Sequence, residues 1–362
     1  GAAADQLVVE TAIKYSKIST ARHDTTRVLA LLNRAMKRAK ACDNLAGRAL
    51  LEMHIAKNEW LRANYEQALV HFERGWALAE TIDDPQLADA VTAFGTFFFY
   101  WEGRFREAVA SYERAVRDVE QYPQARFPLL AAITVGYSYA QVGNYAQGIG
   151  MLDSIRTHCL ERGDLYLAAY AIGNIGEIML KLRRLDEALQ YMEMSLKLAR
   201  ETNNRWVWMI LQIFLAFTFF LLGKKQRALR HLKEFLAYRE EAQTNVLPYP
   251  YLLHLALAVD QGDLPPVDGL SLAVEIERMQ ASNNIYMQGL GARFAALKLE
   301  KENGAAESVI EAFERSIRQL DASGHQISLT RSRLEAARYL HQLGDGRRAG
   351  ELTDDAARTL TS

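Results

Sequence analysis

Apolar residues recur every three or four positions along this chain, in runs long enough for several helical turns. One run, 169–182, places Ile172, Ile175 and Met179 on the same helical face and contains no proline. After a break of two arginines, the run 185–200 has the same periodicity. Its acidic residues lie near the start and its basic residues near the end, as the helix dipole favours. The pattern therefore predicts pairs of helices joined by tight turns.

This pattern of two helices repeats every 40 residues. A small residue marks the same point of the second helix in six successive copies: Val28, Ala68, Ala108, Gly148, Ala188 and Ala228. Turn-forming pairs keep the same register: Asp43-Asn44, Asp83-Asp84, Gly163-Asp164, Asn203-Asn204 and Asn283-Asn284. Short side chains allow two helix axes to approach closely. A fixed period of this length predicts an all-α solenoid of stacked helical pairs.

The length of 362 residues accommodates nine such pairs, so we expect a single domain without a separate globular unit. The predicted repeats are 9–48, 49–88, 89–128, 129–168, 169–208, 209–248, 249–288, 289–328 and 329–362. Four of the seven prolines, at positions 248, 250, 265 and 266, flank one short helix, so we expect an irregular stretch at 248–269. Because the sequence begins at Gly1 without methionine, we interpret it as a fragment of a longer protein.

One repeat carries a known motif. Gly103, Phe105 and Ala108 form a Gly-x-aromatic-x-x-Ala turn, and Tyr112 and Ala115 follow at four- and three-residue steps. This resembles the tetratricopeptide repeat, although the first-helix Trp and the closing Pro of that family are absent and the period is 40 instead of 34 residues. The resemblance implies a right-handed α-α superhelix whose first helices line a concave binding surface. Long repeats of this kind are similar to the sensor segments of large bacterial transcriptional and signalling regulators.

Composition argues against several classes of protein. The chain has 43 basic and 44 acidic side chains, so nucleic acid is not an expected partner. Cys42 and Cys159 occupy non-equivalent repeat positions, which indicates free thiols and a cytoplasmic protein. The apolar segment 206–222 approaches the length of a membrane span. Ala216 nevertheless keeps it in register as a first helix, so we expect a buried helix and no membrane insertion.

The sequence shows no motif of a catalytic or metal site. The eight histidines include no HExxH motif and no His-Cys spacing typical of metal ligands. The glycines between 344 and 350 coincide with a repeat turn and follow no strand, so they do not indicate a phosphate loop. We therefore predict a binding protein without enzymatic activity, metal or cofactor.

The concave surface implied by the resemblance should be lined by the residues three before, one after and four after the small residue of each first helix. These positions and their neighbours give the candidate site residues Lys57, Trp60, Phe97, Tyr100, Trp101, Tyr137, Asn174, Glu177, Phe217 and Phe220. Similar repeat proteins use an asparagine to bond the backbone of an extended ligand, and Asn174 is the candidate for this role.

Two interpretations of the aromatic candidates remain open. They can pack on one another and on neighbouring repeats. Alternatively, part of the stripe that these three positions of each first helix form can face solvent and bind a peptide, a protein segment or a small apolar ligand. The second interpretation predicts a regulatory binding module, the sensor part of a bacterial transcriptional or signalling regulator. The alternative function is a structural scaffold that self-associates through its end helices or its convex face.

Overall fold

The computed structural model describes residues 2–19, 25–62, 64–121, 129–242 and 249–361, and within these ranges it contains α-helices and no strand. The eighteen described helices, numbered in chain order, are α1 (Ala2–Ser19), α2 (Thr25–Ala41), α3 (Leu45–Leu61), α4 (Tyr65–Glu80), α5 (Pro85–Trp101), α6 (Phe105–Gln121), α7 (Leu129–Gln141), α8 (Tyr145–Glu161), α9 (Leu165–Lys181), α10 (Leu185–Glu201), α11 (Arg205–Leu221), α12 (Lys225–Ala242), α13 (Pro250–Asp260), α14 (Leu272–Gln280), α15 (Ile285–Lys301), α16 (Ala306–Ser323), α17 (Gln326–Gln342) and α18 (Gly346–Thr361). Each odd-numbered helix is a first helix and the next is its second helix. The predicted all-α fold of helical pairs is confirmed.

The turn-forming pairs of the sequence begin the first helices. In each pair, the side chain of the second residue accepts a hydrogen bond from the backbone N–H three residues later, at 2.7–3.3 Å. The capping residues are Asn44, Asp84, Asp164, Asn204 and Asn284. Such an N-cap typically stabilises a helix by about 1 kcal/mol. The pairs recur at the repeat period because each first helix needs its own cap.

The turn inside a helical pair requires a residue in the left-handed region. Gly103, Gly143 and Gly223 have φ angles of 72°, 99° and 72° at this position. Glycine adopts such angles without a steric penalty because it has no Cβ. In the turn between α9 and α10 the equivalent residue is Arg183, with φ of 62°. A side chain with a Cβ costs about 1–2 kcal/mol there.

The small residue of each second helix lies where that helix packs on its first helix. The four alanines of the 40-residue series are at most 1% exposed. The approach is very close at Gly148 on α8, where a Cβ would lie 2.5 Å from the carbonyl oxygen of Gly136 and 2.9 Å from the backbone nitrogen of Ala140, both on α7. The 40-residue period therefore marks the contact between the two helices of each pair.

The chain divides into two compact units. Unit 1 comprises Gly1–Phe98 and Ala110–Ala131, and unit 2 comprises Phe99–Val109 and Ala132–Ser362. The core of unit 1 includes a cluster around the fully buried Leu32, from helices α1, α2 and α3. Unit 2 contains the candidate residues that follow position 98. That the nine repeats act as one domain stays a prediction.

Helix α11 contains the segment that approaches the length of a membrane span. Eleven of its residues between Val207 and Phe219 are buried. It packs against α9, α10, α12 and α13 within unit 2, which explains why it is apolar on every side. None of the helices in the described ranges combines the length and the hydropathy that a bilayer-crossing segment needs.

The seventh helical pair is shorter than its neighbours. Helices α13 and α14 have 11 and 9 residues, and α13 begins at Pro250, whose missing N–H is not needed in a first turn. The connection between them contains Gly262 and Gly269 in the left-handed region, with φ angles of 81° and 78°. Pro248, the first proline of the predicted irregular stretch, lies outside the described residues.

Candidate functional site

In unit 1, three of the predicted site residues lie close together. Lys57 and Trp60 are on α3, and Phe97 is on α5. The ammonium of Lys57 lies 5.7 Å from the centre of the Phe97 ring, and Trp60 packs edge-on against Phe98 with ring centres 5.6 Å apart. Lys57 and Trp60 are buried, and Phe97 is half-buried. The three side chains therefore belong to the packed interior of the unit.

Lys57 is a buried cation with no carboxylate at ion-pair distance among the described residues. Burial, followed by repulsion from Lys17, lowers the pKa of Lys57 from 10.5 to about 8. His54, on the preceding turn of α3, is also buried, and its Nε2 has no hydrogen-bond partner in the described part of the chain. Burial and then Lys57 lower the pKa of His54 well below its usual value, so this ring is neutral at pH 7.

Lys57→Met should change how the stability of the protein depends on pH. Between pH 8 and pH 10.5 the unfolded chain still holds the Lys57 proton while the folded chain has released it, so the free energy of unfolding rises with pH in this window. Lys57→Met has no such proton to release, so its free energy of unfolding lacks this rise. We expect it to be more stable than wild type by about 3 kcal/mol at neutral pH, with the difference vanishing as the pH rises through the window.

Urea unfolding at several pH values across this window measures the difference between the two proteins. The control is Lys37→Met, which removes an exposed lysine from α2. Parallel stability profiles for Lys57→Met and wild type would show that burial of the ammonium has no such cost.

In unit 2, Glu177 is the centre of a buried hydrogen-bonded cluster. Its Oε1 accepts hydrogen bonds from the hydroxyls of Tyr137 and Tyr251, at 2.8 and 3.1 Å. The ammonium of Lys181, one turn further along α9, lies 3.2 Å from the same oxygen. Burial, and then this carboxylate, raises the pKa of both tyrosines well above the usual value, so both hydroxyls stay protonated. The Glu177 cluster therefore joins the first helices α7, α9 and α13.

Lys181 extends the Glu177 cluster towards α15 and α17. Its ammonium donates to the hydroxyl of Tyr137 at 2.8 Å and to Oε1 of Gln141 at 2.6 Å, and it lies 3.4 Å from Nε2 of His325. The His325 ring stacks on Tyr286, with centres 4.2 Å apart. Burial lowers the pKa of Lys181, and burial followed by Lys181 lowers that of His325 well below its usual value. His325 is therefore neutral at pH 7.

Contacts between turns bring sequence-distant parts of unit 2 together. The backbone N–H of Ile285 donates to the carbonyl oxygen of Glu102 at 2.8 Å. Arg106 donates to the carbonyl oxygen of Asp321 at 2.7 Å, across 215 positions of the sequence. In an open solenoid each repeat contacts only its neighbours. Unit 2 thus has closing contacts, at the start of α6 and α15 and at the end of α16, which join repeats that are not neighbours in the sequence.

The aromatic candidates of unit 2 pack against other rings. Tyr100 lies edge-on to Tyr137, with centres 5.6 Å apart, and Phe217 stacks on Tyr251 at 5.0 Å. Tyr137 and Phe217 are buried. The half-buried members of the set are Tyr100, Trp101 and Phe220. These rings therefore contribute core contacts and do not form one exposed patch.

Asn174 differs from the other candidates because its carboxamide makes no hydrogen bond to a described residue. It is half-buried on α9, between Tyr170 in the preceding turn and Glu177 in the next. Residues at spacings of three and four share one face of a helix. Asn174 therefore offers a free donor and a free acceptor on the face of α9 that carries the Glu177 cluster.

Several members of the cluster lie outside the set predicted from sequence: Gln141, Lys181, Tyr251, Tyr286 and His325. A local signal existed for Lys181, which follows Glu177 by four residues, the spacing of a helical ion pair. No local signal existed for Tyr251 and His325, since their hydrogen-bonding or contact partners lie 74 and 144 positions away.

No family model matches the sequence, and no curated protein sequence matches it. Solved structures do match. The chain is similar to a Rap protein complexed with competence and sporulation factor, with a TM-score of 0.73, 13% identity and 98% of each chain covered. It is similar to the apo form of the quorum sensor NprR from B. thuringiensis, with a TM-score of 0.60, 11% identity and coverage of 97% of this chain and 98% of that chain.

A third similar structure is the Rap conjugation gene regulator of the plasmid pLS20 in complex with the Phr* peptide. Its TM-score is 0.58 at 12% identity, and 98% of this chain and 94% of that chain are covered. The likenesses extend over nearly the whole chain and establish the fold as a tetratricopeptide-like helical repeat. The fold expected from the motif at Gly103 is confirmed.

Proposed function

We propose that the protein is a non-catalytic regulatory module that binds a short extended peptide on the first-helix face of unit 2. One observation carries the proposal. On this face, α7, α9 and α13 direct hydroxyls, a carboxylate and an ammonium towards one another, where a purely structural core would hold alkyl side chains. A peptide backbone presents the N–H and C=O groups that such a lining can bind.

The polar lining has a cost that a structural role alone does not explain. Taking the Glu177 and Lys181 charges out of water costs several kcal/mol for each ion, and only good geometry offsets this. Well-packed apolar residues in place of such a pair are often neutral or stabilising by about 1–4 kcal/mol. Recognition of a polar ligand gives a reason for the charged pair and for the unbonded carboxamide of Asn174 beside it.

Proteins of the same fold support a peptide as the ligand. Two of the similar structures are complexes, one with competence and sporulation factor and one with the Phr* peptide. A third is the apo form of a quorum sensor. A role in peptide signalling for this chain, as the sensor part of a bacterial regulator, agrees with these three structures.

The closing contacts of unit 2 suggest how binding becomes a signal. The ammonium of Lys181 already bonds Tyr137, Gln141 and the Glu177 carboxylate. A peptide that takes over some of these bonds favours one arrangement of the first helices over another, and the population shifts by the difference in affinity. The contacts of Arg106 and Ile285 join sequence-distant repeats. They are kept in one arrangement of the first helices and broken in the other.

Asn174→Ala tests the proposal. The probe is a pool of randomised pentapeptides, selected on the immobilised protein and identified by mass spectrometry. Wild type should retain a defined subset of the pool. Asn174→Ala should bind the retained peptides about tenfold more weakly, because one or two hydrogen bonds of roughly 1 kcal/mol each are lost. Its stability should not change, since the carboxamide bonds no described residue.

The matched control is Asn33→Ala, which removes an exposed carboxamide from α2 in unit 1. It should behave as wild type in both measurements. Failure of the wild-type protein to select any peptide, or equal affinity of wild type and Asn174→Ala, would rule out the proposed site.

A further inference from the structure

Helix α17 borders a cleft of about 440 Å³ that reaches the end of α18. Its apolar walls are Ile327, Leu334 and Leu360, and its polar lining is formed by Thr330, Arg331, Glu335 and Arg338. The volume falls within the range of small-ligand sites, roughly 300–1,000 Å³. Leu334 and Leu360 are 45% and 61% exposed, so the cleft is open to solvent.

No described carboxylate lies at ion-pair distance from Arg331, although Glu335 lines the cleft and Glu300 is bonded to Arg338 of its lining. Glu335 is held by Arg293 through two hydrogen bonds of 2.5 and 2.6 Å. Glu300 accepts a hydrogen bond of 2.6 Å from Arg338. Each of these carboxylates is therefore hydrogen-bonded to another arginine, and Arg331 contributes to the lining of the cleft a positive charge that Glu335 balances only from a distance.

Further cations act on the same region. Burial, and then Arg293, Arg331 and Arg183, lower the pKa of His254 well below its usual value. Burial, followed by Arg293 and Arg183, also lowers the pKa of Arg331, against a smaller opposing effect of Glu335. Arg183 occupies the left-handed turn position at which Gly103 and Gly223 stand in other repeats. Together these charges favour an anion over a neutral ligand beside α17.

Thr330 adds to the cleft a polar group without a hydrogen-bond partner in the described part of the chain. The residue is 6% exposed, and its hydroxyl oxygen has no hydrogen-bond partner within the described ranges. Buried hydroxyls in native structures nearly always have a partner. A ligand oxygen in the cleft would supply one.

We propose that the cleft binds the C-terminal residue of a peptide that ends in an apolar side chain. Arg331 and the Thr330 hydroxyl hold the α-carboxylate, and Ile327, Leu334 and Leu360 receive the side chain. A guanidinium can bind a carboxylate with two parallel hydrogen bonds, and a C-terminal amide lacks the charge for this. A phosphate or the short side chain of an aspartate would leave the apolar walls unfilled. The proposal rests on the peptide-binding function proposed for unit 2 and specifies which end of the peptide lies at α17.

The experiment uses N-acetyl-leucine and N-acetyl-leucinamide as probes, with binding to the full chain followed by ligand-observed NMR and calorimetry. Wild type should bind the acid at least about tenfold more tightly than the amide, as expected for a hydrogen bond to a charged group. Arg331→Gln should abolish this preference, and Arg331→Lys should keep part of it because the charge remains. Arg347→Gln, which removes an exposed arginine from α18, should bind as wild type does.

Thr330→Val provides a variant whose folding is not at risk, since the lost hydroxyl bonds nothing in the described structure. It should bind N-acetyl-leucine severalfold more weakly at an unchanged melting temperature. Equal binding of acid and amide by wild type, unchanged preference in Arg331→Gln, or no binding of either probe would overturn the proposal. Selection from the randomised peptide pool tests the proposed function separately. If free-acid and amidated peptides are selected equally, the protein still binds peptides, but the cleft at α17 does not bind their α-carboxylate.

Discussion

Glu177→Ala is expected to lower the free energy of unfolding by about 3–5 kcal/mol, the usual cost of removing one partner from a buried ion pair. The Glu177 side chain is 8% exposed and that of Lys181 is 10% exposed, so the remaining ammonium cannot be hydrated in place. The hydroxyls of Tyr137 and Tyr251 lose their shared acceptor as well. Unfolding in guanidinium, followed by tryptophan fluorescence, measures the loss.

The double variant Glu177→Leu, Lys181→Met is the matched control. It removes both charges and keeps side chains of similar volume, so its stability should return to within about 2 kcal/mol of wild type. Its affinity for the selected peptides should nevertheless fall, because the polar lining is gone. Two results would contradict this prediction: a loss of less than about 1 kcal/mol in the free energy of unfolding of Glu177→Ala, or a double variant no more stable than Glu177→Ala. Either would show that the folded protein tolerates the Lys181 ammonium without the Glu177 carboxylate.

The fold could be predicted from sequence because the interactions that define it are short in range. The cap at Asn44 bonds the N–H of Gly47, three residues later. The close contact of α7 with α8 joins Gly136 and Gly148, which are only 12 positions apart in the sequence. Caps and close helix contacts of this kind recur at the repeat period. Comparing the copies therefore reveals them even where the sequence of one copy fits more than one structure.

The candidate site was less predictable because its contacts are long in range and occur once. Tyr137, Asn174 and Glu177 lie on the predicted stripe or beside it, and the structure places them on helices that share the Glu177 cluster. Tyr251 is the second residue of α13 and His325 immediately precedes α17, so both lie outside the three positions of each first helix that define the stripe. A rule copied from repeat to repeat cannot anticipate a contact made by only one pair of repeats. The roles assigned to the candidate residues stay predictions.

The cleft at α17 also lies outside the positions predicted from the repeat pattern. The positional rule applied to this helix gives Arg333, Ala337 and Leu340. Ala337 and Leu340 belong to a buried cluster with Ala349 of α18, and Arg333 donates to the carbonyl oxygen of Asp355. The second helix covers these positions, and the cleft therefore lies on the adjacent face of α17.

Gly148→Ala should destabilise the protein by about 2–3 kcal/mol, although alanine is the better helix former by about 1 kcal/mol. The added Cβ would lie 2.5 Å from the carbonyl oxygen of Gly136 and 2.9 Å from the backbone nitrogen of Ala140. Both are backbone atoms of α7, so no rotation of a side chain can relieve the overlap, and the two helices must move apart. Their separation would open the contact that the 40-residue period marks.

Gly150→Ala, two residues along the same helix, is the matched control. Gly150 is exposed, and a Cβ there would meet no atom within 4 Å. This substitution should stabilise the protein by up to about 1 kcal/mol through helix propensity alone. Urea unfolding of both variants thus compares the same chemical change with opposite expected signs. If Gly148→Ala were as stable as Gly150→Ala, close helix contact would not be what places a small residue at this point of the repeat, and the 40-residue series would need another explanation.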